Sequence, residues 1–291
     1  MPRSACLIVN PSAGGGRAEK RLPAIEAVLR EHGVSFRVER TRSLEHAGEL
    51  AKGALERREV CAPVGGDGLT GAVAHALRGT DGVMCPLPGG RGNDFVRKLG
   101  ISQDATEAAA VIATGVERAV DVADAGGRTY LGIASAGLDS DVQDITLETK
   151  IPLGGLIYVY GTLRALAAWK PATWTLTVDG ERQSFCGYSV AVANSGVFGG
   201  GMRLVPEASM EDGLLDVVLT ADGPKREYLS GLPKVFKGTH VTNPALTFLQ
   251  GREVSFEADR PFTAYADGDP IAELPVTVRV VPGALRVLAP R

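Results

Sequence analysis

Three short runs in the first hundred residues combine glycine with side chains suited to phosphate chemistry. They are Asn10-Pro11-Ser12-Ala13-Gly14-Gly15-Gly16, Gly65-Gly66-Asp67-Gly68 and Pro88-Gly89-Gly90-Arg91-Gly92-Asn93-Asp94. Glycine lets backbone N–H groups approach phosphate oxygens, and a helix that follows adds its positive N-terminal end. One such run reads equally well as a tight turn; three, each following a strand-like segment, argue for a phosphate-facing edge. Asp67 sits among these glycines, where a carboxylate repels phosphate unless a cation stands between them. That points to Mg²⁺ contact or proton acceptance, against the plainer reading of local turn hydrogen bonds. The P-loop pattern is absent. Gly66-x-Gly68-x-x-Gly71 matches the dinucleotide fingerprint in form, but it follows the third strand. The acidic residue expected after the next strand is missing, where the chain reads Leu87-Pro88-Gly89.

These loops need elements to hold them. Residues 6–10, 34–39, 60–64 and 83–87 read as strands. Residues 18–31 read as a helix with Leu22, Ile25, Val28 and Leu29 on one face, stopped by Gly33. Ser43 is placed to cap a second helix that turns Leu44, Ala47, Leu50, Ala51 and Leu55 inward, and a short third helix begins near Thr70. This βαβα rhythm predicts a doubly wound parallel sheet whose ligand lies at the carboxyl ends of its strands. After about Asp121 the period changes to two, at 174–178, 188–193, 215–219, 253–256 and 276–280, with one helix over 156–169. Such alternation predicts an antiparallel β-sandwich. The expected organisation is α/β, with residues 1–122 as a nucleotide-binding domain and 123–291 as a sandwich that takes the substrate. The last residues are free to return to the first domain.

Composition narrows the classes. A chain of 291 residues with 44% hydrophobic residues supports two cores. A net charge of −3 argues against a nucleic-acid partner, which calls for a basic excess. Cys6, Cys61, Cys85 and Cys186 show no short paired spacing, and the first three lie in apolar runs. They read as reduced thiols of a cytoplasmic protein. The first strand begins within five residues of Met1, which leaves no room for a signal peptide. The apolar stretch 151–169 is interrupted by Pro152, two glycines and Arg164, too short and broken for a membrane span.

Taken in order, Val9-Asn10-Pro11-Ser12-Ala13-Gly14, Gly65-Gly66-Asp67-Gly68 and Pro88-Gly89-Gly90-Arg91-Gly92-Asn93-Asp94-Phe95 resemble the diacylglycerol-kinase catalytic family. That family includes bacterial lipid kinases and the sphingosine and ceramide kinases. Glu211-Asp212-Gly213-Leu214-Leu215-Asp216-Val217 is similar to its structural-metal segment, and Asp267-Gly268-Asp269 to its late acidic motif. The resemblance spans nearly the whole chain and implies a nucleotide between an NAD-kinase-like α/β domain and a β-sandwich. It implies that Asn10, Pro11, Ser12, Ala13, Gly14, Thr41, Gly65, Gly66, Asp67, Gly68, Leu69, Thr70 and Gly71 contact ATP. Ser209, Asp212 and Leu214 would hold a structural Mg²⁺, the first and last through backbone carbonyls. Asp267 and Asp269 would contain the base that takes the proton from a lipid hydroxyl, and Asp67 would position catalytic Mg²⁺. On the residues alone, Asp212 reads equally as an acidic turn residue, and Asp267-Gly268-Asp269 as a hairpin turn.

The pattern departs from the family at three places. Leu69, Thr70, Gly71 and Ala72 stand where the family has Thr and then an Asn-Glu pair, although leucine at the first position also occurs in the sphingosine and ceramide kinase branch. Arg91 stands where Thr is usual, and its guanidinium suits phosphate oxygens. Asp269 replaces a Glu and is one methylene shorter. Three readings follow. The first is ATP-dependent phosphorylation of a lipid hydroxyl, in diacylglycerol or a similar lipid, to a phospholipid such as phosphatidic acid, by a peripheral protein at the inner membrane surface. The second is an NAD-kinase-like small-molecule kinase. The third is an inactive lipid-binding regulatory protein. The segment 153–169, with Leu156, Tyr160, Leu163 and Trp169, is the apolar feature available for meeting a bilayer, its plainer reading being a helix packed on the sandwich. A homodimer stays open.

Overall fold

A computed structural model describes residues 3–149 and 157–291. The chain opens with β1 (Ser4–Val9), α1 (Arg17–Glu31), β2 (Ser35–Arg40), α2 (Leu44–Glu56), β3 (Val60–Gly65) and α3 (Asp67–Leu77). The pairs β4 (Val83–Met84) and β5 (Leu87–Pro88) follow, then α4 (Asp94–Lys98) and α5 (Ala105–Thr114). Strands β2, β1 and β3 run parallel. Helix α1 buries Ala18, Leu22, Ile25 and Leu29, a spacing of three and four that lines one face. Helix α2 begins where the Ser43 hydroxyl oxygen accepts the His46 N–H at 3.1 Å. Helix α3 begins at Asp67, three residues before the expected Thr70, because Gly66 is extended and an acid in the first turn suits the helix's positive end. The single strand expected at 83–87 is split at Cys85-Pro86, as proline has no N–H for the ladder.

The second half holds β6 (Val116–Ala125), β7 (Arg128–Tyr130), β8 (Ile133–Gly137), α6 (Leu138–Glu148), α7 (Ile157–Ala168), β9 (Ala172–Val178) and β10 (Glu181–Ala193). After the small hairpin β11 (Val197–Phe198) and β12 (Met202–Arg203) come β13 (Leu215–Ala221), α8 (Lys225–Lys237) and β14 (Leu246–Gly251). The chain closes with β15 (Glu253–Ala258), β16 (Thr263–Ala266), β17 (Asp269–Glu273) and β18 (Val276–Ala289). Its core gathers Trp174, Leu176, Val190, Val192, Phe256 and Val278. The helix expected over 156–169 is α7, with residue 156 outside the described residues. Helices α6 and α8 add to it: α6 spaces Leu138, Val142 and Ile145 by four and three, whereas α8 is broken by Gly231 and Pro233 and buries no residue. No described helix is long and apolar enough to cross a membrane. Cys6, Cys61 and Cys85 are buried free thiols, and Cys186 is exposed.

The two halves share strands. Strand β18 pairs antiparallel with β15 from Val276 to Arg279, then parallel with β4 at Arg286 and Val287. Strand β6 follows β18 along its length except at a bulge between Val281 and Leu285. Residue 122 falls inside β6. At the bulge the buried Asp121 carboxylate accepts the Gly283 N–H at 2.7 Å and the Gly213 N–H at 2.8 Å. The amide of Asn194, which is fully buried, donates to the carbonyls of Asp121 and Leu131 at 3.1 and 3.0 Å. Removing the carboxylate takes a charge-assisted bond from each of the Gly213 and Gly283 amides. Asp121→Ala is therefore expected to lower stability by about 3 kcal/mol, read as a lower urea midpoint with an unchanged slope; an unshifted midpoint would contradict this role.

Candidate active site

The three glycine runs meet backbone to backbone. The Gly89 and Gly90 N–H groups both donate to the Gly65 carbonyl, at 2.8 and 2.9 Å. A Cβ on Gly90 would lie 2.4 Å from Gly66 Cα, one on Gly89 2.9 Å from Gly65 Cα, and one on Gly14 2.5 Å from the Gly89 carbonyl oxygen. Such separations exclude any side chain, so these glycines are required by the loops themselves. Gly68 and Gly71 differ: a Cβ on either would meet no atom within 4 Å. Three apart on α3, they share one face.

Asp67 clamps the third loop onto the second. One of its oxygens accepts the Asn93 N–H at 2.9 Å and the other the Asp94 N–H at 2.7 Å, which caps the start of α4. Asp94 in turn accepts the Gly200 N–H at 2.9 Å from the glycine loop between β11 and β12. Its other oxygen is buried and, among the described residues, has no partner. Burial raises the Asp94 pKa; the Gly200 amide opposes this, and the Asp67 charge adds to it.

Asp267 and Gly268 form the two-residue turn between β16 and β17, both with positive φ of 52° and 94°, the geometry that favours Asp-Gly in tight hairpins. The hairpin expected from the residues is therefore present, and its carboxylate is used as well. Asp267 accepts the Leu131 N–H at 2.9 Å, the Gly132 N–H at 3.0 Å and the Ile133 N–H at 3.3 Å. Burial pushes its pKa up to about 6; the Leu131 and Gly132 amides oppose the shift and the Asp67 charge adds to it. The two aspartates thus feel each other from opposite halves of the molecule. A Cβ on Gly132 would sit 2.3 Å from Asp267 Oδ1, so this glycine is what admits the carboxylate. Asp269 opens β17 with its side chain in solvent.

The remaining candidates fall in four places. Asn10 Oδ1 accepts from the Ser12 N–H and hydroxyl at 3.1 and 2.8 Å, which folds Pro11, Ser12 and Ala13 into a turn beside Gly14. Thr41 joins this corner through its N–H to the Val9 carbonyl at 2.8 Å, while its hydroxyl donates to the Ser43 carbonyl. Leu69 and Thr70 face inward: Leu69 packs over Gly65, and the Thr70 hydroxyl donates to the Gly66 carbonyl at 3.1 Å. Any nucleotide contact from these two runs through backbone. Arg91 is exposed at the tip of the third loop. Ser209, Asp212 and Leu214 form a separate turn, in which Ser209 Oγ accepts the Glu211 N–H and Asp212 Oδ1 the Leu214 N–H. The turn borders a cleft of about 510 Å³ that is also lined by Asp121, Arg252 and Pro282. Among the described residues, no three His, Cys, Asp or Glu side chains converge as a metal site. Gly132, Asn194, Asp94 and Asp121 support the site without standing out in the sequence as site residues; only the Asn-Asp of the third loop carried a signal.

Two family models match in tandem: "Diacylglycerol kinase catalytic domain" over residues 4–125 and "YegS C-terminal NAD kinase beta sandwich-like domain" over 132–289. A diacylglycerol kinase of Mycobacterium tuberculosis is 30% identical, covering 98% of this chain and 94% of that one. A probable lipid kinase YegS-like of Klebsiella pneumoniae is 28% identical, covering 99% and 96%. The crystal structure of a diacylglycerol kinase from Bacillus anthracis shares the fold at TM-score 0.76 and 20% identity, covering 99% and 96%.

The raised Asp267 pKa has a consequence for stability. A folded pKa of about 6 lies above the unfolded value of about 3.9. The folded state therefore holds the proton more tightly, and this contribution is full below about pH 4 and is lost as pH rises through 6. Burial likewise raises the Asp139 pKa to about 6, so part of the slope is independent of Asp267. Asp267→Asn is expected to become more stable relative to the parent as pH rises from about 4 to 7. A stability difference that stays flat across that range, measured by chemical denaturation, would contradict the assignment.

Proposed function

The chain belongs to the diacylglycerol kinase family, with a C-terminal domain of the YegS type, and on that premise we propose that it transfers the γ-phosphoryl group of ATP to the hydroxyl of diacylglycerol or a similar lipid. The product would be a phospholipid such as phosphatidic acid. Membership makes the chain a lipid kinase; the donor, the acceptor and the residue roles are the proposal. The observation that carries it is the open face of Gly68 and Gly71 at the start of α3, in the same first turn as Asp67, whose charge reaches Asp267 of the other half. Glycine in a helix costs about 1 kcal/mol relative to alanine. No protein atom demands its absence of side chain at 68 or 71, so the bare backbone is suited to a ligand that approaches closely.

In this reading the Gly66 and Gly68 amides and the positive end of α3 face the phosphates. The inward packing of Leu69 and Thr70 gives both residues structural work, so the altered flank is compatible with turnover. Asp267 has a pKa near neutrality and is the candidate base for the acceptor hydroxyl; Asp269, in solvent, is the lesser one. The donor atoms also fit Mg²⁺, which prefers oxygen ligands. Each Asp67 oxygen accepts one N–H and keeps a further acceptor position, and of the Asp212 oxygens one accepts the Leu214 N–H while the other accepts from no donor among the described residues. Asp67 would hold catalytic Mg²⁺, and the 209–214 turn a structural one. The ion would neutralise charge on the phosphates. Peripheral contact with the inner membrane surface follows from a lipid acceptor.

The test is transfer of labelled phosphate from ATP to diacylglycerol vesicles, with NAD as the rival acceptor. Asp67→Ala and Asp267→Ala should each lower kcat/KM by about 10²–10⁴-fold. Gly68→Ala should leave melting unchanged or slightly higher while raising KM for ATP. Turnover of NAD alone, or full lipid turnover in both aspartate variants, would sink the reading.

A further inference from the structure

The outer face of α7 is apolar where a water-facing helix surface is ordinarily polar. Tyr158, Val159 and Leu163 are more than half exposed, as is Leu147 near the end of α6. Over its 12 residues α7 carries one charge, Arg164. Its other face is committed: Gly161, Ala165 and Leu166 are buried, and a Cβ on Gly161 would lie 2.9 Å from the Thr146 side chain. Helices α6 and α7 therefore pack together with one side spent on the fold and the other, among the described residues, uncovered.

Two features identify what covers that side. Cations gather at the carboxyl end of α7. Arg164 and Lys170 are exposed, and the Lys225 ammonium donates to the Ala167 carbonyl at 3.0 Å, which brings Arg226 and the first turn of α8 alongside. Arg260, which donates to the Lys170 carbonyl, adds a further cation, and the acids about this border are Asp144 and Glu148 on α6, Asp222 and Glu227 on either side of Lys225, and Asp259. Tyrosines and leucine beside a charged border with several Arg and Lys match the boundary between headgroups and acyl chains. The second feature is continuity with the site. Gln143 Nε2 on α6 donates to the Gly268 carbonyl at 3.1 Å, and the Tyr265 hydroxyl bonds the Asp144 carboxylate. Leu147 stands one helical turn past Gln143, a rise of about 6 Å. The bare face thus begins one turn from the hairpin that carries Asp267.

We propose that the outer face of α7, with Leu147 of α6, is the surface by which this chain seats on a lipid bilayer. The docking surface rests on the lipid-kinase reading only for its purpose; the binding itself is separable. The double variant Leu147→Glu/Leu163→Glu changes two exposed side chains, and Phe236→Glu, on the far end of α8, is the control. Flotation with phosphatidylcholine–phosphatidylglycerol vesicles, without ATP, should show at least about tenfold weaker partitioning for the double variant. Phe236→Glu should partition as the parent does. Turnover of a short-chain diacylglycerol dissolved as monomer should stay within about twofold in the double variant. Equal vesicle partitioning of parent and double variant overturns the proposal. So does a parent dimer that becomes monomeric in the double variant while vesicle binding persists, because the face is then an interface between copies. Parent binding that is lost in the double variant, with no lipid phosphorylated by either, upholds the docking surface and removes the proposed reaction.

Discussion

The paired strands β6 and β18 run through both halves of this molecule, and the placement of every candidate side chain depends on them. One end of β18 belongs to the sandwich ladder and the other to the parallel sheet, so the halves meet through hydrogen-bonded backbone. A ladder tolerates little shear, because slipping by one residue would turn each side chain to the wrong face. At its bulge, Asp121 ties in both the turn before β13 and the Pro282-Gly283 kink. Asp67 and Asp267 can oppose each other because the elements that carry them are joined in this way.

A second tier of contacts fixes the loops. Asp67 holds the amides of the third loop, Asp94 holds Gly200 of the other half, and the Gly132 carbonyl accepts from Asn194 and Ser195 while its N–H meets Asp267. These are chiefly carboxylates accepting from backbone N–H groups, the charge-assisted bonds that are stronger and shorter than neutral ones. Burial leaves the carboxyls of Asp94 and Asp267 harder to ionise than free ones, since these amide bonds offset only part of what it costs.

Much of the fold was legible because it rests on local pattern. The helical spacing in α1, the Ser43 cap and the period-two alternation of the sandwich appear as expected, and so does the diacylglycerol kinase kinship carried by the motif order. What escaped detection has a physical cause in each case. Helix α8 lies on the surface with Gly231 and Pro233 inside it, so no buried stripe marks it. Helix α6 follows β8 with no break between them, so no loop signal marks its start. The roles of Asp121, Gly132 and Asn194 depend on partners up to 162 residues away, and most of those bonds use backbone N–H or C=O groups, which the residue type does not reveal. Resemblance marked Asp67 as a metal-positioning residue; only coordinates reveal that it also staples one loop to another.

The interlocked glycines bear on how this architecture can change over evolutionary time. Gly89 and Gly90 lie against the backbone of Gly65 and Gly66, so a side chain at either has no room, and no partner substitution elsewhere supplies it. Variation is channelled instead to positions that face outward, such as Arg91, and to the walls of the sandwich. A scaffold with that division can retain its glycine-lined edge unchanged while the walls of the sandwich diverge around it.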